Sequence, residues 1–248
     1  MKKLITSALP YVNNVPHLGN IIGCVLSADV YARFCRARGY ETLYVCGTDE
    51  YGTATQIKAK KEGVTPQQVC DKYHQLHKEI YENFNISFNI FGRTSTPMQT
   101  KIAQEIFNDL DTNGLISEKT SRRLFCEHDD MFLADRFVEG HCPKCNYDNA
   151  SGDQCEKCGG LLEPEKLKNP RCTICGNTPE FKNTSHLYLA LDSLQDDLEK
   201  WAKKAGTDWD WTNNAIQTTK AWFDRGLEPR AITRDLIWGI PVPRPGYE

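Results

Sequence analysis

The sequence predicts an α/β fold over its first ~110 residues, where short β-rich runs alternate with helical apolar periods, the pattern of parallel strands joined by helices. A second observation bounds that unit: from Leu115 to about Lys182 the periodicity fades and Gly, Asn, Cys and Pro take over. A third is the cysteine pattern, since six of the 11 cysteines fall in three Cys-x-x-Cys pairs between Cys142 and Cys175. Together they predict a parallel sheet followed by a segment too loop-rich to order itself without a further source of cohesion.

Each element has a local reason. Lys3–Ala8 reads as a strand, ended by the turn residues Pro10-Tyr11-Val12-Asn13-Asn14-Val15-Pro16. A helix follows with Ile22, Leu26, Val30 and Phe34 as its apolar stripe and Gly39 at its end. Glu41–Cys46 is the next strand, and a short helix covers Thr53–Lys61. Thr65, Pro66 and Gln68 spell an N-cap, a first-turn proline and a capping box. That helix carries the stripe Val69, Tyr73, Leu76, Ile80 and Phe84. Ile86–Phe91 alternates like a strand. Thr96-Pro97 opens a helix with Met98, Ile102, Ile106 and Leu110 inward, closed by Gly114.

After the cysteine-rich segment, Leu187–Leu191 reads as a strand. Two amphipathic helices follow, marked by Leu194, Leu198 and Trp201, then by Ile216, Trp222 and Phe223 with Gly226 closing the second. Ala231–Asp235 and Ile240–Pro243 begin a new element, and the chain stops at Glu248 without closing structure.

Composition narrows the function. Thirty Lys plus Arg against 33 Asp plus Glu give a net charge of -3, so overall basicity offers no argument for nucleic-acid binding. Apolar runs such as Gly23–Leu26 are far too short to cross a bilayer, and Met1-Lys2-Lys3-Leu4-Ile5-Thr6 is unlike a signal peptide. The expected setting is cytoplasmic and reducing, where clustered thiols point to metal more than to disulfides. The five single cysteines, Cys24, Cys35, Cys46, Cys70 and Cys126, are read as buried small hydrophobes.

Cys142-Pro-Lys-Cys145 and Cys155-Glu-Lys-Cys158 lie close together, with Gly159-Gly160 following. Two residues between paired cysteines let a tight turn aim both sulfurs at one tetrahedral Zn²⁺, and four thiolates leave no open position, so a structural ion is expected. Cys172-Thr-Ile-Cys175 needs partners. Cys126 supplies one, with His128 or Asp129 as fourth ligand of a second zinc; the alternative is a degenerate knuckle without metal.

Pro16-His17-Leu18-Gly19-Asn20 lies between the first strand and the first helix. Ligands of open α/β sheets gather at the carboxyl ends of strands, and phosphate favours a helix N-terminus. Imidazole there can donate to phosphate oxygens as charge builds. An ordinary capping histidine is the competing reading of His17. Asp49 is likewise read either as an ammonium-binding carboxylate or as the cap of the next helix.

Three further stretches make a resemblance specific: Ala8-Leu9-Pro10-Tyr11, Gly47-Thr48-Asp49-Glu50-Tyr51-Gly52, and Phe132-Leu133-Ala134-Asp135-Arg136-Phe137. With the knuckles and Ile232-Thr233-Arg234-Asp235, the chain resembles the methionyl-tRNA synthetases, a class I aminoacyl-tRNA synthetase family. Asn13-Asn14-Val15-Pro16 is most like the eukaryotic cytoplasmic form. The resemblance implies a Rossmann-type catalytic domain, incomplete here, interrupted by a zinc-knuckle connective insertion. Residues 1–114 would be its first half, 115–228 the insertion with the knuckles at about 126–176 and two helices, and 229–248 the start of the second half.

The implied activity is ATP-dependent activation of methionine to methionyl-adenylate, with Mg²⁺ accompanying the ATP, and transfer to tRNA(Met). His17, Gly19 and Asn20 would contact ATP, His17 and Asn20 as catalytic groups; Asn20 stands where the family often has a second histidine. Ala8, Leu9 and Tyr11 would line the methionine pocket, Asp49 would hold the substrate ammonium, and Arg234 would pair with Asp49. A Lys-Ser loop, the Trp-bearing second half of the pocket and an anticodon domain are missing, so the fragment alone is expected to be inactive. The rival reading is a zinc-ribbon nucleic-acid module without catalysis, which leaves the strand–turn–helix start unused.

Overall fold

The computed structural model describes residues 1–133 and 135–247; Ala134, in the middle of one family-like motif, and the terminal Glu248 lie outside the described residues. β1 (Lys2–Thr6), β2 (Glu41–Thr48) and β3 (Ile90–Arg93) form a three-stranded parallel sheet with β2 central. Because the strands run the same way, the segments leaving β1 and β2 emerge at one edge. Among the described residues seven strands follow: β4 (Ile116–Cys126), β5 (Met131–Phe132), β6 (Val138–His141), β7 (Ala150–Ser151), β8 (Lys168–Cys172), β9 (Glu180–Leu189) and β10 (Arg230–Ala231). They make two antiparallel sheets, ordered β10–β9–β4–β5 and β7–β6–β8.

The helix Leu18–Ala37 packs on the parallel sheet, but not on the stripe predicted. Its buried residues are Ile21, Val25, Asp29, Ala32 and Cys35, while Ile22, Val30 and Phe34 stand 51%, 61% and 55% exposed. A four-residue spacing drifts around a 3.6-residue helix, and a π turn over Ile21–Leu26 shifts the phase further. Polar anchors then fix the face. Asp29 accepts from the Ser87 backbone N–H at 2.6 Å and from Arg33 Nε at 2.6 Å, while Arg36 reaches Ser87 Oγ at 2.6 Å and Asn89 Oδ1 at 2.8 Å. This helix has the length and hydropathy of a bilayer span, yet these bonds tie it into the core of the sheet.

The same anchors correct a strand. The regular strand begins at Ile90, not at Ile86, because the Ser87 N–H goes to Asp29 and the Tyr44 N–H is taken by Asn89 Oδ1 at 2.8 Å in place of a strand carbonyl. β1 stops at Thr6, two residues short of the predicted end. Helix Pro66–Asn83 starts as its capping box requires, with Thr65 Oγ1 accepting the Gln68 N–H at 3.2 Å. Helix Pro97–Thr112 contradicts its predicted inward face: Met98, Ile102 and Ile106 are exposed and Leu110 is half-buried, while Gln104 Nε2 donates to the Pro241 carbonyl at 2.9 Å.

The segment predicted to be mostly loop holds the long strand β4, paired with β9 over ten residues from Ile116↔Leu189 to Phe125↔Glu180. β9 correspondingly covers Glu180–Leu189, not Leu187–Leu191. Helices Gln195–Asp208 and Asn213–Arg225 follow, the second closed by Gly226 as expected, though Trp201 and Trp222 are exposed. A separate core of Leu124, Leu133, Phe137, Val138 and Leu167 gathers around the buried sulfurs of Cys126, Cys142, Cys155 and Cys172.

Candidate active site and metal centres

β1 and β2 deliver the site. Past β1, the chain returns alongside the end of β2: Asp49 N–H donates to the Pro10 carbonyl at 2.9 Å, Val12 N–H donates to the Asp49 carbonyl at 3.3 Å, and Tyr11 and Asp49 form a parallel bridge. Val12 is buried beneath, leaving Ala8, Leu9 and Tyr11 exposed, Tyr11 by 60%. An apolar wall therefore stands uncovered beside an acid. Burial and the neighbouring Glu50 raise the pKa of Asp49 above the usual carboxylate value, and its carboxylate has no cationic or hydrogen-bond partner among the described residues.

His17 caps the helix Leu18–Ala37. Its Nδ1 accepts the N–H groups of Gly19 at 3.1 Å and Asn20 at 3.3 Å, and Asn20 Oδ1 accepts the His17 N–H at 3.2 Å. The capping reading of His17 is therefore seen, and with Nδ1 occupied as an acceptor the neutral ring carries its proton on Nε2, on an exposed side chain. Gly19 makes this possible, since a Cβ there would meet His17 Cε1 at 3.0 Å and Nδ1 at 3.1 Å. The approach is steadied from below, where His77 Nε2 donates to the Asn14 carbonyl at 2.9 Å.

Arg234 is placed differently from its prediction. Nη1 donates to the carbonyls of Ala231 at 3.1 Å and Thr233 at 2.8 Å, and no ion pair joins it to Asp49 among the described residues. The flanking side chains fix the loop instead: Asp235 Oδ2 meets His186 Nε2 at 3.0 Å, Thr184 donates to Asp235 Oδ1 at 2.9 Å, and the Leu187 N–H donates to Thr233 Oγ1 at 3.0 Å. Sequence reasoning also missed the group behind Asp49. Glu50 is fully buried, with Arg93 Nε 2.8 and 3.1 Å from its two carboxylate oxygens and the Thr48 and Ser95 hydroxyls donating to it. Arg93 Nη2 in turn reaches Asp71 at 2.7 Å. The bonds to Arg93 and Ser95, 43 and 45 residues away, leave no periodic trace, and the local signal was a second acid following Asp49.

The cysteines gather as two tetrads. Cys142, Cys145, Cys155 and Cys158 place their sulfurs within 4.8 Å of one another, with Cys142–Cys158 at 3.9 Å and Cys145–Cys155 at 3.6 Å, and all are free thiols. Four thiolates around Zn²⁺ at ~2.3 Å stand about 3.8 Å apart, so the residues fit the ion. Burial pushes the Cys142 thiol up, but the N–H groups of Cys145 and Lys144 outweigh it and bring the value down to about 7.

The second tetrad is Cys126, Asp129, Cys172 and Cys175, again within 4.8 Å. Asp129 Oδ2 lies 3.3 Å from Cys126 Sγ and 3.2 Å from Cys172 Sγ, and Cys126 and Cys175 are 3.4 Å apart. His128 is outside the group; its ring is 3.6 Å from the other oxygen of Asp129. Backbone geometry explains the choice. In the three Cys-x-x-Cys turns the residue after the second cysteine, Asn146, Gly159 or Gly176, has φ of 57°, 66° or 77°. Asp130 has φ 50°, so Cys126-Glu-His-Asp129 is a fourth turn of the same kind with a carboxylate where the others have a second sulfur.

Comparison with known proteins places the chain in a family. The family model for tRNA synthetases class I (M) matches residues 3–248. The chain is 61% identical over 247 residues to the Arabidopsis thaliana cytoplasmic methionine–tRNA ligase, covering 99% of this chain and 31% of that protein. It is 56% identical to the Saccharomyces cerevisiae cytoplasmic enzyme and 59% identical to the human one, each over 245 residues, covering 99% of this chain and 33% and 27% of those proteins. The chain thus spans about a third of the length of these relatives. The Mycobacterium tuberculosis methionyl-tRNA synthetase, solved with methionyl-adenylate, shares the fold at a TM-score of 0.69 and 20% identity, over 98% of this chain and 43% of that one. The chain belongs to the tRNA synthetases class I (M) family.

Proposed function

We propose that this chain is part of a cytoplasmic methionine–tRNA ligase and supplies the first half of its amino-acid and ATP site. The ligase joins methionine to AMP: a carboxylate oxygen of methionine attacks the α-phosphorus of ATP, the bond to the bridging oxygen breaks, and pyrophosphate leaves as methionyl-adenylate forms. A hydroxyl at the 3′ end of tRNA(Met) then attacks the methionyl carbonyl, the acyl–phosphate bond breaks and AMP leaves. Residues 1–114 are the first half of the catalytic domain, 115–228 a connective insertion, and 229–248 the beginning of the second half.

The observation that carries this reading is the uncountered carboxylate of Asp49 beside the exposed Tyr11. A half-buried acid without a cation offers an ammonium group a charge-assisted bond, and the apolar wall of Ala8, Leu9 and Tyr11 suits a thioether chain that makes few polar demands. His17, with Nε2–H available, and Gly19 receive the ATP phosphates and adenosine, Mg²⁺ arriving with the nucleotide. Asn20 contributes its amide Nδ2, since its Oδ1 is spent on the cap. Arg234 is bonded into its own loop through the Ala231 and Thr233 carbonyls and is given no part in binding the ammonium. Each sulfur-rich tetrad holds a structural Zn²⁺ that supplies cohesion and no chemistry.

Methionine-dependent exchange of pyrophosphate into ATP tests the reading. The full-length ligase carrying this segment sustains exchange with methionine and not with leucine or valine, while the 248-residue chain alone does not approach that rate. Exchange driven by another amino acid in preference to methionine contradicts the proposal.

A further inference from the structure

Asp49 is held on its backbone by Pro10 and Val12, yet the residue after it is tied down more completely than Asp49 itself. Glu50 N–H donates to Thr94 Oγ1 at 2.9 Å, and its carboxylate is taken by Arg93, Thr48 and Ser95. Its carbonyl accepts the Cys70 thiol at 3.5 Å and Trp238 Nε1–H at 2.6 Å. All but one of these partners come from β2, β3 and the turn after it, or the helix Pro66–Asn83. Trp238 comes from 188 residues away, just beyond the Thr233–Asp235 loop. Its ring lies 5.3 Å from that of Tyr51 and packs against the cluster containing Val12, Cys70 and Tyr73. One side chain therefore touches the residues immediately after Asp49 and the core under Tyr11.

We propose that Trp238 is a positioning residue for amino-acid binding: it fastens the Tyr11–Asp49 bridge in register and links it to the loop that carries Arg234. It touches no substrate; it acts through Glu50 and Tyr51. A plain packing role would weaken the fold and both substrates alike. A positioning role acts on methionine, because Asp49 and Tyr11 lie on the fastened segment, while the His17 cap is closed by its own helix.

The inference rests on the ligase reading, and the experiment separates the two. Trp238→Phe in the full-length ligase keeps an aromatic ring and removes the N–H donor. The expected result is a KM for methionine raised about 3- to 10-fold, the most that one internal hydrogen bond passes on to the bound state, with kcat and the KM for ATP near wild type and a small drop in melting temperature. Tyr51→Leu, which removes the ring partner, is read in the same way should Trp238→Phe fail to fold. An unchanged KM for methionine in whichever of these variants folds overturns the proposal. So does an equal rise in the KM values for methionine and ATP, whatever the melting temperature. Wild-type enzyme with no methionine-dependent exchange sinks the ligase reading itself, and this inference with it.

Discussion

Tyr11 and Asp49 are joined by a parallel bridge beyond the regular end of β2, so the exposed phenol and the half-buried carboxylate belong to one extended ladder. Neither residue owes its position to its own side chain. The consequence is that Asp49 can be altered without dismantling the site around it.

Asp49→Asn separates binding from stability. Removing the charge raises the KM for methionine about 10- to 100-fold, the range expected for a hydrogen bond to a charged group. Burial and Glu50 raise the folded-state pKa of Asp49. A raised carboxylate pKa means the folded state binds more protons than the unfolded one between the two values, so stability falls as pH rises through that window. The asparagine variant therefore melts above wild type at neutral pH, and methionine binding by wild type is lost as pH falls through the raised pKa. Differential scanning calorimetry and pH-dependent KM values check both signs.

His17 serves two bonds at once, and two substitutions divide them. His17→Ala loses the cap and costs about 1 kcal/mol of stability as well as activity. His17→Asn keeps a capping oxygen but removes the Nε2–H donor, so it lowers kcat for pyrophosphate exchange about 10²-fold or more with near-native urea unfolding. Parallel loss of stability and rate in both variants would reduce His17 to a cap.

The tetrads predict metal content. Protein purified without chelator carries zinc in both groups. Cys155→Ser empties the first and Asp129→Ala the second, while Asp129→Cys restores a four-sulfur second site. Chelation lowers the melting temperature because metal-binding energy here is folding energy. Plasma emission spectrometry of the variants decides this; zinc unaffected by Asp129→Ala removes the carboxylate from the ligand set.

Asp29 is the opposite electrostatic case. Burial pushes its pKa up, but the Ser87 hydroxyl, Arg33 and the Ser87 N–H outweigh it and hold the value below the ordinary 3.8. Its contribution is complete above 3.8 and is lost as pH falls through the lower folded-state value. Asp29→Ala costs about 2–4 kcal/mol in urea unfolding at pH 7, and the gap from wild type closes in acid.

What the sequence made legible was local. Thr65-Pro66-Gln68 and Thr96-Pro97 start their helices where written, because a cap is decided within four residues. The Cys-x-x-Cys turns are local too, and they form as expected. The apolar face of Leu18–Ala37 was misread because both sides of the helix carry apolar residues, and its orientation is set by Asp29 bonding to Ser87, 58 positions away. β4 was invisible as a strand because Glu118, Lys119, Thr120 and Arg122 lie exposed along it; its cohesion comes from pairing with β9. Asp129 looked no better than His128 as a ligand until the backbone at Asp130 showed the turn they share. Glu50, Arg93 and Trp238 escaped for the same reason, since each contact is made across the fold.

The central claim is that Asp49 receives the amine of methionine while Tyr11 walls its side chain. A crystal structure of the full-length ligase with bound methionine measures it most directly. The ammonium nitrogen is expected at about 2.8 Å from an Asp49 carboxylate oxygen, with the thioether chain against Leu9 and Tyr11. Methionine seated with its amine on another group, and Asp49 facing only solvent, would contradict it.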